Sequence, residues 1–249
     1  MNMRPADSCT SMSLSWYPLG VCGRYTVANP RKILAEVLGS DDCPELVARY
    51  NVAPTQLAPV VLTREDGSRH LVKMQWGLVP NWVNTPNIEH HLINARSETA
   101  WEKPAFRDSL RQRRCVIAAD GFYEWQKTQD VKNAYLLRLT GGTPFGFAGL
   151  WDRWNGSHGN VLNTFAILTT HANALVEPLH DRMPVILDHQ QRDAWLSPRT
   201  DPHSLRLLCE PCPGAAMEAF PVSNYVNNTA HDSVECLQPA QRPMPRTLF

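Results

Sequence analysis

Short apolar runs, each closed by a turn signal, recur along most of this chain and leave little room for long helices. The runs at 57–62 and 70–76 flank Asp66-Gly67, the pattern of a β-hairpin. Further strand-like runs fall at 115–119, 122–126, 135–139, 145–150, 165–169, 185–187 and 217–222. Helical signals are confined to short pieces. Asn29-Pro30 reads as a helix start, with Asn as N-cap and Pro in the first turn, and Gly39 as the stop after Ile33, Leu34, Val37 and Leu38. Helical segments also fit 105–114, 190–196 and 203–208. Strands this frequent, joined mostly by turns, predict an α+β fold: a single compact domain built on a curled, mostly antiparallel, barrel-like sheet with flanking helices. The 249 residues suffice to bury the core such a fold needs. No internal repeat or linker divides them, and the Pro-rich tail at 238–249 is expected to be loose.

Within that frame the segment Cys22-Gly23-Arg24-Tyr25 carries unusual chemistry. A cysteine that begins a chain has a free α-amine titrating near pH ~8, against ~10.4 for lysine, so far more of it is nucleophilic at neutral pH. Its thiol, on the adjacent carbon, captures an amine that has condensed with an aldehyde into a five-membered thiazolidine. No internal cysteine does this. Val21 precedes it, and valine is how a GTG start codon reads inside a frame. Initiation there followed by Met removal would bare Cys22. The stretch 1–21 supports a mis-assigned or removable extension, because it carries Ser, Pro and Met without hydrophobic period. It lacks the basic start, apolar run and small-residue cut of a secretory signal.

Charge and cysteine usage narrow the partners. The 24 basic and 24 acidic residues cancel, so any nucleic-acid contact has to come from a local patch. Seven scattered cysteines, an odd number, fit a reducing cytoplasm better than a disulfide framework. Cys209-Glu210-Pro211-Cys212 is a lone C-x-x-C with no second pair or histidine pair beside it, so no metal or cofactor is expected. No stretch has the roughly 20 apolar residues of a membrane helix.

Several polar residues stand where strand patterning does not ask for them. Glu124 lies between Tyr123 and Trp125, where desolvation raises a carboxyl pKa toward general-acid use, unless strand alternation turns it to solvent. His180 leads into an apolar strand and reads either as a catalyst or as a satisfied core histidine. Asn94, after a histidine pair, reads as a site residue or a turn residue.

The order of these segments is more specific than any one of them. Cys22-Gly23-Arg24-Tyr25, Tyr50-Asn51-Val52-Ala53-Pro54-Thr55, Trp76-Gly77-Leu78-Val79-Pro80-Asn81-Trp82, Asn94-Ala95-Arg96-Ser97-Glu98-Thr99, Arg114-Cys115 through Gly121-Phe122-Tyr123-Glu124-Trp125, and His180-Asp181-Arg182-Met183-Pro184-Val185 follow one another along the chain. Together they resemble the SRAP family, the SOS-response-associated peptidase-like proteins that process abasic sites in DNA. The resemblance runs over 22–237 and implies a compact α+β, barrel-like domain with a positively charged groove.

By that resemblance Cys22 bonds the ring-opened aldehyde of an abasic site as a thiazolidine. Asn94 orients the reacting group, Glu124 moves protons, and His180 assists sugar ring opening and reversal. Arg24, Arg96, Arg113 and Arg114 resemble phosphate-holding residues, Asn51 and Thr169 further DNA contacts, and Trp82 a stacking wedge at a strand junction. The implied partner is single-stranded DNA with abasic sites at replication forks, met by a monomer in the cytoplasm, nucleoid-associated during DNA damage. Members of the family are also described as removing their own N-terminal segment. Two other readings use the same residues: a thiol peptidase or amidohydrolase built on Cys22, His180 and Glu124, and a non-catalytic module that grips single strands.

Overall fold

A computed structural model of the chain describes residues 21–38, 46–64, 66–85, 92–127, 132–156 and 159–240. In chain order they form β1 (Arg24–Val27), α1 (Pro30–Ile33), which continues as a π-helical turn over Leu34–Leu38, β2 (Arg49–Val52), β3 (Leu57–Thr63), β4 (Arg69–Trp76) and β5 (Asn94–Arg96). Then come α2 (Arg107–Gln112), β6 (Arg114–Ala119), β7 (Gly121–Lys127), β8 (Lys132–Leu139), β9 (Phe145–Asn155) and β10 (Val161–His171). The chain finishes with β11 (Arg182–Pro184), β12 (Ile186–Leu187), α3 (His189–Leu196), α4 (Pro202–Leu207) and β13 (Met217–Pro221).

The strands β4, β3, β6, β9 and β10 pair antiparallel in that order, and β10 then lies parallel to β4. The five close into a ring, which removes the open edges an isolated sheet would leave. The β3–β4 hairpin forms around Asp66-Gly67, with Gly67 at φ +84° as the turn requires. Residues on β9 had to shrink for the ring to close. A β-carbon on Gly149 would lie 2.1 Å from Ile117 Cδ1 and 2.9 Å from Cys115 Sγ. The interior is filled by aromatic rings, Tyr25 meeting Trp76 edge-on at 5.2 Å and Phe147 at 5.8 Å between centroids.

A second sheet, in the order β13-β8-β7-β1-β2, is mostly antiparallel hairpin pairing and shares that core through Tyr25, Val27, Phe122, Leu137 and Met217. Its other face is covered by residues 222–237, where Tyr123, Ala134 and Leu136 meet Val222, Val226 and Cys236. The centre of this sheet is therefore buried on both faces.

The barrel positions the site through β10, which is longer than its neighbours need. Its first half pairs with β4 and β9, and its second half, past the ring, is flanked by β5 on one edge and β11 on the other. Thr169 stands opposite both Arg96 and Pro184. The segments bearing Asn94 and His180 thus meet at one end of the barrel.

Three sequence expectations change. The predicted 105–114 helix ends at Gln112 in α2, and Arg114 already belongs to β6. Asn29 makes no side-chain cap: its amide nitrogens, with Thr26 Oγ1 and Ala28 N–H, all donate to the buried carboxylate of Asp120. Gly39, the expected stop, lies outside the described residues. The tail expected to be loose after Leu237 is held over its first residues, where Ser223 N–H donates to Gln238 O at 2.8 Å and Ala240 N–H to Pro221 O at 3.1 Å.

Candidate active site

Cys22 lies just ahead of β1, and the β1–β7 register sets Arg24 opposite Tyr123, bringing Cys22 beside Glu124. The backbone N–H of Cys22 donates to Glu124 Oε1 at 2.5 Å. Strand alternation points Glu124 with Phe122 toward the barrel, so it is 4% exposed. Burial pushes its carboxyl up to about 8, and hydrogen bonds from the Cys22 and Trp125 amides pull part of the way back. Asp181 adds a repulsive charge in the same upward direction.

Asn94 completes the arrangement from β5. Its Nδ2 donates to the carbonyl oxygen of Val21, while its Oδ1 is buried without a partner. The Val21–Cys22 peptide is thereby gripped at both ends, oxygen by Asn94 and nitrogen by Glu124. Cys22 itself sits at φ +47°, in the left-handed region that a β-carbon disfavours. Its thiol is fully buried and held well above the usual range, first by burial and then by Glu124. The hydroxyl of Tyr25 is also buried and unpaired, in electrostatic contact with that thiol.

His180 is half-buried. Its Nδ1 accepts from the Arg182 amide at 3.0 Å and lies 2.7 Å from Asp181 Oδ1. One nitrogen cannot accept from the first and donate to the second at once. A ring with Nδ1 bare satisfies the amide, and a ring carrying a proton on Nδ1 turns its N–H to Asp181, so the position of the ring proton sets which contact is made. Arg96 is exposed on β5, on the same face as Asn94. Buried Thr169 lies directly opposite it on β10. Arg182, whose part the sequence did not disclose, joins these strands: it holds Glu98 through two oxygens at 3.0 and 2.9 Å and donates to Thr169 O at 2.7 Å.

The other expected DNA contacts are dispersed. Trp82 is 63% exposed on the loop after β4. Arg24 donates to Asn51 Oδ1 and to the carbonyls of Val226 and Asn227, and its guanidinium lies 5.8 Å from the Trp125 ring. Buried Asn51 donates to the carbonyls of Val226, Asn228 and His231. These two clasp the 222–237 layer onto the sheet. Arg113 faces Asp152, and Arg114 spends its guanidinium on the carbonyls of Leu110, Arg111, Trp195 and Ser197, tying the ends of α2 and α3 together. Cys209 hydrogen-bonds Leu205 O, and no cluster of metal-ligating side chains occurs among the described residues. Among them, too, no helix is long and apolar enough to cross a membrane.

Barrel and site together define an α+β domain centred on one buried cysteine, with a buried carboxyl at its nitrogen and an amide at the preceding carbonyl. The profile of SOS response associated peptidase (SRAP) matches residues 21–229, and the chain belongs to that family. Abasic site processing protein YoqW of Bacillus subtilis (strain 168) is 40% identical over 224 residues, covering 88% of this chain and 99% of that protein. Abasic site processing protein HMCES of Mus musculus is 29% identical over 276 residues, covering 88% and 76%. Among solved structures, a protein from Bacteroides thetaiotaomicron superposes with a TM-score of 0.79 at 25% identity, covering 88% of this chain and 100% of that one.

Proposed function

We propose that this protein processes abasic sites by covalent capture, Cys22 acting as the first residue and joining the sugar aldehyde of single-stranded DNA as a thiazolidine. The names of its relatives support the substrate class. The observation that carries the mechanism is the double grip on the Val21–Cys22 peptide. In it the Val21 acyl carbon, bonded to Cys22 N, stands in for the sugar C1, and its oxygen stands in for the oxygen of the first adduct.

On this reading the free amine of Cys22 adds to the aldehyde, giving a carbinolamine whose hydroxyl meets Asn94 Nδ2. Glu124, protonated at neutral pH because of its burial, gives its proton to that hydroxyl, water leaves and an iminium forms, whose N–H proton returns to the Glu124 carboxylate to leave the imine. The thiol then adds to the imine carbon while its proton passes to nitrogen, so aldehyde and aminothiol become thiazolidine and one water. His180, beside Asp181, moves protons for sugar ring opening and for reversal. Arg96 supplies an exposed cation for phosphate beside Asn94, Thr169 lines the same strands, and Trp82 stacks on a base. The protein acts as a monomer at fork junctions, in the cytoplasm and on the nucleoid.

The same grip supports self-processing of a chain that carries Val21. Attack of the Cys22 thiol on the Val21 carbonyl, with Asn94 on the oxygen and Glu124 protonating the departing amine, would give a thioester. Water would then release Met1–Val21 and leave Cys22 first.

Intact-mass and denaturing-gel measurements on a chain beginning at Cys22 test the proposal. With abasic single-stranded DNA the expected product is a heat-stable adduct of the summed masses less one water, absent with intact DNA. Cys22→Ala should give only an imine that borohydride traps. A chain retaining Val21 should be inert until cut, and Glu124→Gln should slow capture roughly 10²–10⁴-fold. No adduct from the Cys22-first chain at equimolar DNA would overturn the reading.

A further inference from the structure

The loop carrying Trp82 is held by the β9–β10 hairpin in a regular way. Thr164 and Asp152 are cross-strand partners on that hairpin, and Trp154 follows Asp152 on the same face. Thr164 Oγ1 accepts from Val79 N–H at 2.9 Å, Asp152 Oδ2 accepts from Asn81 N–H at 3.0 Å, and Trp154 Nε1–H donates to Val83 O at 2.7 Å. The hairpin therefore reads the loop at every second residue, 79, 81 and 83. Trp82, between two of these anchors, is left 63% exposed.

An exposed tryptophan on an ordinary loop is common enough. Here the backbone before it is bonded to buried groups, Thr164 at Val79 and Asp152 at Asn81, and the backbone after it to half-buried Trp154 at Val83. Asp152 is in turn balanced by Arg113, whose Nε stands 3.2 Å from Oδ1 without aiming its N–H there. That contact is an ion pair and no directed hydrogen bond. It explains how a carboxylate survives at that depth, and it redirects Arg113 from phosphate binding to support of the loop.

We propose that Asp152, Arg113, Thr164 and Trp154 are positioning residues for DNA binding, fixing the 79–83 loop so that Trp82 is presented, already ordered, as a stacking surface for one nucleobase. Ordering the ring before DNA arrives removes the entropy loss that a mobile loop would suffer on binding. The inference rests on the reading of Trp82 as a base-stacking residue and specifies what makes it effective.

The test measures affinity for abasic single-stranded DNA across a salt series, using Trp82→Ala, Trp154→Phe, Arg113→Ala and the doubles with Trp82→Ala, each checked for a native urea midpoint. Trp154→Phe keeps the ring and loses only the Nε1–H donor. Trp82→Ala should weaken binding about tenfold, the loss of one stacked base. Trp154→Phe and Arg113→Ala should each weaken it several-fold in the wild-type background and not at all when Trp82 is already alanine. Arg113→Ala should leave the log–log salt slope unchanged, whereas a lost phosphate contact would lower it by about 0.7. Losses that add to that of Trp82→Ala, or a lowered slope for Arg113→Ala, would overturn the positioning role and leave Trp82 itself intact. Unchanged affinity in Trp82→Ala would instead remove the stacking reading on which the inference rests.

Discussion

Replacing Glu124 by Gln should make the chain that retains Val21 more stable, by an amount that grows with pH. The folded carboxyl keeps its proton up to about 8 because it is buried. The unfolded carboxyl loses it near ~4.3. Between those values the unfolded state binds fewer protons than the folded one, so stability falls as pH rises, by up to about 1.4 kcal/mol per unit. Below the unfolded pKa the effect is absent, and above about 8 it is complete. Over the whole window the penalty is on the order of 3–5 kcal/mol, a large share of the net stability of a domain. Glutamine is neutral throughout and retains an oxygen for the Cys22 N–H, so it should escape the penalty without breaking the bond. Urea unfolding of both proteins at pH 5, 6, 7 and 8 measures the difference directly, with Asn94 and His180 left as they are. Free-energy curves that run parallel over that range would refute the placement of a protonated, buried Glu124 at the Cys22 nitrogen.

Two further outcomes follow from the core. Tyr25→Phe removes a buried hydroxyl that has no partner, so thermal unfolding should show a variant as stable as wild type or up to about 2 kcal/mol more stable; a loss above about 1 kcal/mol would mean the hydroxyl is bonded after all. Gly149→Ala should lower stability by about 1–3 kcal/mol or more, because its methyl would press on Ile117 and Cys115 at the closure of the ring and sit 3.2 Å from the fixed Ala166 carbonyl. An unchanged melting temperature would show that the barrel yields there.

The sequence made the barrel legible where turn chemistry and apolar runs coincide, as in β3 and β4 around Asp66-Gly67. It was silent on β1, β2, β5 and β11, which span only a few residues and pair because longer neighbours hold them in place. Alternation could not decide whether Glu124 faces water or core, since the barrel covers one face of its sheet and residues 222–237 cover the other. Cys22, Asn94 and Glu124 were readable as a set through family resemblance, and they converge around one peptide. Arginine roles were the least legible. Arg96 is exposed and makes no side-chain hydrogen bond or ion pair among the described residues, whereas Arg24 and Arg114 hold carbonyl oxygens of their own chain, and nothing local in a sequence separates the two situations. The part of Arg182 stayed hidden for a related reason: its contacts reach back to Glu98 and Thr169 across long stretches of chain.

The backbone angle at Cys22 has a consequence for the two lengths of chain. The torsion φ is defined by the carbonyl carbon of the preceding residue, and its value of +47° costs a residue with a β-carbon about 1–2 kcal/mol. A cysteine that comes first has no such torsion. Rotation about its N–Cα bond merely turns the hydrogens of an amine, so the penalty disappears while Cα, Cβ and sulfur stay where they are. The fold thus holds Cys22 in a pose that is strained for an interior residue and relaxed for a leading one. Separation from Val21 is favoured by roughly tenfold on this account alone, and rejoining is disfavoured to the same extent.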